Sequence, residues 1–421
     1  MDRTAHGGDL YGRRAALDFS SNISPLGLPE TVGHALVASM EAWDNYPDPF
    51  CRDLTAALAQ HEAVPKDWIH FGNGAADLIF RFVQALRPRR ALTLAPTFSE
   101  YERALAAVGC SISYHTLYEK DAFRLTETII KKINPALDVV ILCNPNNPTG
   151  QPADQALLLR ILKRCEACRV VLLIDECFIS FLDDPNTQTM KEFLAAYPNL
   201  AILRAFTKLY ALAGLRLGYL LCADGERLHA MSICEPPWNI SVPAQIAGVA
   251  ALADEGYVAR VRQIVRQERG YLTQALDGIG AVVFGSRANY IFFKLNACRD
   301  LEQRLAERGI MIRPCGNYRG LDNRFYRAAV KMHNENEQLI AAIGAVLGEM
   351  WRWRRQLWCR ERLQARERVC LQRRFAVFLH RMAIQLRRLN HRIWRSIHLL
   401  FFLNQVHYFL YNALFLYNYS I

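Results

Sequence analysis

Short, continuous apolar runs punctuate the first half of the chain, at Ala91–Ala95, Val139–Cys143, Val170–Ile174, Ala201–Arg204 and Leu217–Leu221. Runs of this length without polar alternation fit strands buried on both faces. Helix-length stretches such as Gln155–Glu166 separate several of them. The alternation predicts an α/β fold with a large, mainly parallel sheet covered by helices. Residues 1 to 30, rich in Gly, Ser and Pro, read as an extended arm, and a helical pattern follows over Glu30–Ala42. The pattern breaks around Pro236–Pro243, and one long helical stretch runs from about Ala244 to Leu276. A smaller α/β unit follows, with strands near Ala281–Phe284, Tyr290–Lys294 and Arg324–Val330. The predicted organisation is an N-terminal arm (1–40), a large domain (41–245), a small domain (246–349) and a tail (350–421).

Length and composition agree with that plan. A chain of 421 residues, 52% hydrophobic, exceeds one simple domain and can bury a sizeable core. The net charge of +11 changes the picture only for the tail. Residues 352 to 421 hold 14 Arg, 2 Glu and no Lys or Asp, or +12, which leaves the body at −1. Nothing in that body asks for nucleic acid. Residues 396 to 421 then carry no charged side chain at all. Three readings of the tail stay open: a membrane-surface helix with an apolar anchor, a partner-binding extension, or an appended segment without a selected role. Asn404, Gln405, His407, Asn412 and Asn418 count against a spanning segment. The first 20 residues lack an apolar export signal, so the expected location is the cytoplasm, with reduced thiols for the 12 cysteines. Cys165 and Cys168 stand in a helical stretch without a second pair, so no metal site is expected.

Candidate chemistry begins at Lys208, which follows an apolar strand in Arg204-Ala-Phe-Thr207-Lys208 and precedes the apolar stretch ending at Arg216 and Gly218. A lysine held among apolar neighbours loses ammonium stability and gains nucleophilicity, as attachment of an aldehyde cofactor requires. Thr207 and Arg216 could hold a phosphate. Asp175 ends the run Val170–Ile174, at the sheet edge where ligands bind in open α/β folds. An ionised Asp there can keep a ring nitrogen protonated. Asn147 lies in Asn144-Pro-Asn-Asn147-Pro-Thr-Gly150, a turn at a strand end, and could present its amide to a ring hydroxyl. Gly74 and Ala75, in Gly72-Asn-Gly74-Ala75-Ala-Asp77, precede a helical pattern beginning near Asp77 and could offer backbone amides to a phosphate. Each piece alone also fits an ordinary surface lysine, helix cap or loop.

Their order along the chain is more specific. Gly74 and Ala75, Phe98, Asn147, Asp175, Thr207 with Lys208, and Arg216 together resemble the fold-type I enzymes that use pyridoxal 5'-phosphate (PLP). The two longest motifs are similar to those of class I and II aminotransferases, and the resemblance spans about residues 1 to 349. It implies an aspartate-aminotransferase-like fold, with PLP on Lys208 and Phe98 on its ring face. It also implies a homodimer, in which Tyr46 reaches the cofactor phosphate of the neighbouring subunit. Two positions depart from the pattern. Phe178 replaces a common tyrosine, which leaves Asn147 to bond the ring hydroxyl, and Ala205 replaces a phosphate-binding Ser or Thr.

The arm points to a branch. His6-Gly7-Gly8-Asp9, the segment Leu17–Gly27 that contains Asn22, and the segments around Arg287, Arg313 and Arg327 resemble the threonine-O-3-phosphate decarboxylases of cobalamin biosynthesis. The resemblance implies O-phospho-L-threonine as substrate, contacted by His6, Gly7, Asn22, Asn147, Arg313 and Arg327. Two arginines and a histidine suit a small ligand bearing both phosphate and carboxylate. The alternatives are a histidinol-phosphate-type aminotransferase and a catalytically idle partner-binding subunit. The intact Lys208, Asp175 and Arg216 argue against the idle subunit.

Overall fold

In a computed structural model of the chain, residues 7–8 and 17–390 are described. The arm contributes β1 (Leu17–Asp18). The large sheet is built from β2 (Ile69–Gly72), β3 (Arg90–Ala95), β4 (Ser111–Thr116), β5 (Val139–Cys143), β6 (Val171–Asp175), β7 (Leu200–Ala205) and β8 (Gly218–Cys222). Its order is β2-β8-β7-β6-β5-β3-β4. All neighbours are parallel except those of β8, which runs antiparallel to both β2 and β7. Every residue of β5, β6 and β8 is buried, as their unbroken apolar runs require. The edge strand β4, Ser-Ile-Ser-Tyr-His-Thr, is half solvated and carries too little apolar signal to stand out in the sequence.

Register decides where the chemistry sits. Cys143 on β5 pairs with Asp175 on β6, and Asp175 pairs with Leu203 on β7. The carboxyl ends of the three strands thus lie side by side; Asp175 is the last residue of β6, and Asn147 and Lys208 follow the ends of β5 and β7.

The smaller sheet holds β9 (Val282–Val283), β10 (Tyr290–Lys294), β12 (Arg313–Pro314) and β13 (Phe325–Ala329), in the order β12-β13-β10-β9. The arm strand β1 pairs in parallel with β11 (Ile310–Met311). Beyond it, Phe19 N–H donates to Met311 O at 2.7 Å, and Ala329 N–H donates to Phe19 O at 2.8 Å. The arm is therefore stitched along the small sheet before it reaches the site.

The expected single helix over Ala244–Leu276 is two, Val242–Ala253 and Glu255–Gly278. Asp254 leaves the helical conformation (φ −89°, ψ 77°), and its carboxylate accepts from Tyr257 N–H at 3.0 Å. That cap starts a new helix without interrupting the apolar periodicity, which is why the sequence pattern reads through it. The helix expected near Asp77 starts at Ala75.

The described residues form two units, divided between Leu347 and Gly348. The last described element is the helix His333–Asn390. Among the described residues no helix is long and apolar enough to cross a membrane. The charge-free stretch 396–421 lies outside the described residues.

Candidate active site

A cavity of about 430 Å³ opens at the carboxyl ends of β5, β6 and β7. Lys208 stands in the short helix Phe206–Leu209, directly after β7. It is crowded on all sides yet open to the cavity. Burial, assisted by the guanidinium groups of Arg327 and Arg216, lowers its ammonium pKa to about 8. Asp175 is buried, and burial raises its carboxyl. Donors from Cys177 N–H (2.9 Å) and Tyr101 O–H (2.6 Å) work against that rise.

The opposite rim is a helix start. Gly74 has φ +84° and precedes the helix Ala75–Leu86, which no side chain caps. Ala75 and Ala76 line the cavity, so unsatisfied amides at the positive end of a helix dipole face it. A Cβ on Gly74 would meet the Arg216 guanidinium at 2.5 Å, so only glycine lets that cation lie against the helix start. Arg216 donates to Ala213 O at 3.2 Å and has no ion pair among the described residues. Thr207 is buried beside it, and Phe98 lines the same cavity.

The third wall comes from the small sheet and the arm. Arg313 on β12 and Arg327 on β13 are direct cross-strand partners, and both are buried. Arg327 donates to Asn147 Oδ1 at 2.6 Å and to Ser20 O at 2.7 Å, while its Nε has no partner. No carboxylate pairs with Arg327 among the described residues. Because Asn147 spends its carbonyl on Arg327, its amide N–H₂ is left for a ligand. Asn22 is buried in the same wall with an unsatisfied Oδ1. Gly7 also lines the cavity, and a Cβ there would collide with Ser20 O.

Among the described residues, five cationic side chains (Arg103, Lys208, Arg216, Arg313, Arg327) thus line the cavity against two carboxylates, Glu100 and Asp175. Glu100 already carries Arg103, at 2.9 Å. The surplus is positive, so the cavity suits polyanionic ligands. These residues fit PLP. The helix start, Thr207 and Arg216 could hold its phosphate, Asp175 its ring nitrogen, Asn147 its hydroxyl, Phe98 its face and Lys208 its aldehyde. Buried groups lacking partners in the protein are what such a ligand would satisfy.

Two expected residues lie elsewhere. Tyr46 is 78% exposed and stacks on Trp238 at 4.4 Å, outside this chain's cavity. His6 falls outside the described residues. Sequence reading missed Tyr101, whose hydroxyl anchors Asp175. Its spacing from Phe98 at a helix start, three residues on, would have placed both rings on one face. The cross-strand pairing of Arg313 with Arg327 was likewise missed, since register cannot be read from either segment alone. Among the described residues no group of His, Cys, Asp and Glu is placed to hold a metal.

Comparison with known proteins identifies the family and the fold. The profile of the family described as aminotransferase class I and II matches residues 14–343. The threonine-phosphate decarboxylase of Salmonella typhimurium is 40% identical over 356 residues, which cover 82% of this chain and 97% of that protein. Among solved structures, the histidinol-phosphate aminotransferase of Clostridium acetobutylicum superposes with a TM-score of 0.75 at 30% identity, covering 79% of this chain and 99% of that one. The histidinol-phosphate aminotransferase of Sinorhizobium meliloti, solved in complex with pyridoxal-5'-phosphate, has a TM-score of 0.74 at 23% identity and covers 80% of this chain and 93% of its own.

Proposed function

The chain belongs to the aminotransferase class I and II family, and from that premise we propose that it is a PLP-dependent decarboxylase of L-threonine O-3-phosphate. The products are (R)-1-amino-2-propanol phosphate and carbon dioxide, made for cobalamin biosynthesis. The observation that carries the reading is the pairing of Arg313 with Arg327. Both guanidinium groups line the cavity, and a compact dianion placed between them could bind each through charge-assisted hydrogen bonds. L-Threonine O-3-phosphate presents a phosphate and a carboxylate on four carbons, close enough to engage both guanidinium groups.

The residues then have distinct tasks. Bound PLP supplies a cationic ring that takes up the electron pair left at the substrate's Cα when a bond there breaks. Asp175 keeps the ring nitrogen protonated, and Tyr101 fixes the carboxylate that does so. Lys208 carries the cofactor between turnovers. Its ammonium, poised at about 8, returns a proton to Cα after carbon dioxide leaves. Arg313 and Arg327, with Asn22 and the arm residues His6 and Gly7, set the rotation about the N–Cα bond. By holding the substrate's phosphate and carboxylate, these contacts would favour cleavage of C–COO⁻ over C–H. The described arm residues Gly7, Ser20, Ser21 and Asn22 line the cavity and would narrow the access of water to it.

The same reading makes the protein a cytoplasmic homodimer. The exposed stack of Tyr46 on Trp238, with exposed Val37, Met40 and Phe50 nearby in sequence, supports an interface between copies. Tyr46 would there reach the cofactor phosphate of the neighbouring subunit. The substrate assignment is tested by comparing kcat/KM for L-threonine O-3-phosphate with that for L-histidinol phosphate plus a keto acid. The proposal expects the first to exceed the second by orders of magnitude; the reverse ranking assigns the protein to the aminotransferases.

A further inference from the structure

The described cavity uses no residue beyond Arg327, and the helix His333–Asn390 buries Leu339, Ile343 and Val346 near its start but has no such role for its described later turns. Its described C-terminal part is two-faced. Leu371, Phe375, Phe378, Leu379 and Met382 recur at spacings of three and four. At 100° per residue they fall on one stripe about 100° wide. The stripe meets solvent: Leu371 is 67%, Phe375 54%, Phe378 58% and Met382 42% exposed. Phe375 and Phe378 stack on each other, with ring centroids 6.5 Å apart. Arg373, Arg374, His380 and Arg381, all exposed, lie on the remaining face and its flanks, interrupted there by the exposed Val377 and Ile384.

Charge decides what covers the stripe. Between residues 371 and 395 the sequence has seven arginines and no Asp, Glu or Lys. A second copy of residues 371–395 laid against the first would bring arginines against arginines, with no carboxylate in either segment to pair at the flanks of a coiled-coil seam. An anionic lipid surface satisfies both faces at once. The apolar stripe enters the acyl boundary, and the arginines lie at the phosphates. We propose that residues 371–390 form an interfacial amphipathic helix that docks the enzyme on anionic membrane surfaces. It lies in the plane of the interface and does not cross it, consistent with the lack of a spanning helix among the described residues.

The test is co-sedimentation of the full chain with vesicles of phosphatidylcholine alone and with vesicles of equal parts phosphatidylcholine and phosphatidylglycerol. The proposal expects partition onto the anionic vesicles only, weakened by added salt. Replacing Arg373, Arg374 and Arg381 together by Gln should lower that partition about 100-fold, at roughly fivefold per surface arginine. Phe375→Asp with Phe378→Asp should abolish it while turnover in solution stays unchanged. Three results overturn the proposal. One is equal partition onto both vesicles, or onto neither. Another is anionic binding that survives the Phe375→Asp/Phe378→Asp change. The third is a concentration-dependent rise in sedimentation coefficient that the same change cancels, which gives the stripe to a second copy.

Discussion

Two guanidinium groups drawn out of solvent, Arg204 on β7, partly buried, and Arg327 on the cavity wall, buried, share a charge and differ in their company. Arg204 donates to both carboxylate oxygens of Glu62 at 2.9 Å, to Glu176 at 2.7 and 3.1 Å, and to Thr189 at 2.7 Å. Lys191 and Tyr219 complete the shell around Glu62, at 3.0 and 2.5 Å. Burial pushes the Glu62 carboxyl up, but Arg204 and Lys191 outweigh it and hold it at about 2. Arg327 instead has two neutral acceptors, a bare Nε and a second arginine across the strand pair. A buried cation whose charge is matched inside the protein is holding the fold together. One whose charge is unmatched is waiting for a ligand. Glu176 directly follows Asp175, so the first cluster also fixes the strand end from which the second works.

That contrast predicts opposite phenotypes. The largest effect is expected on the cavity side without any cost to folding. Lys208→Ala should abolish turnover while leaving the thermal midpoint of the cofactor-free protein unchanged or higher, because it removes a desolvated cation that has no ion pair among the described residues. Borohydride reduction of the cofactor-loaded wild type should label Lys208, and label on another lysine would break the assignment. On the structural side, Arg204→Met strands two buried carboxylates and should cost about 3–5 kcal/mol of stability by denaturant unfolding. The Glu62 stabilisation exists above its unfolded pKa of 4.5 and is lost as pH falls toward about 2, so the variant should also unfold at higher pH than the wild type.

Arg327→Met should do the reverse of Arg204→Met. Its stability should hold or rise, while kcat/KM falls by about 1.5–3 kcal/mol, roughly 10- to 150-fold, the range for a hydrogen bond to a charged group. PLP affinity should move far less. A large loss of stability in Arg327→Met would erase the distinction between the two clusters. A smaller effect concerns the cofactor-free protein. With Lys208 at about 8, capture of PLP should accelerate as pH rises through about 8, where an ordinary lysine would need 10.5. The smallest effect belongs to the tail: a chain ending at Glu349 should keep kcat/KM within about twofold, because no described cavity residue lies beyond Arg327.

Legibility in the sequence follows the same division. The sheet floor could be read because strands buried on both faces leave unbroken apolar runs, and because Asn147, Asp175 and Lys208 each follow one closely. The wall could be read only in part. Arg313 and Arg327 were found by motif, but their contact depends on antiparallel register, which neither segment encodes alone. Tyr101 escaped because a tyrosine inside a helix carries no motif. Strand β4 escaped because its solvated edge needs no apolar run, and the break at Asp254 because a cap leaves hydrophobic periodicity intact.

The central claim is that the arginine wall turns a transaminase-type floor toward loss of a carboxylate. Its most direct test is to incubate the PLP-loaded protein with L-threonine O-3-phosphate carrying a labelled carboxyl carbon, with no keto acid present, and to follow the label and the amine. The account predicts label released as carbon dioxide in equal amount to 1-amino-2-propanol phosphate, over many turnovers. Label retained in a keto acid, formed once per site and then stopping, would contradict it.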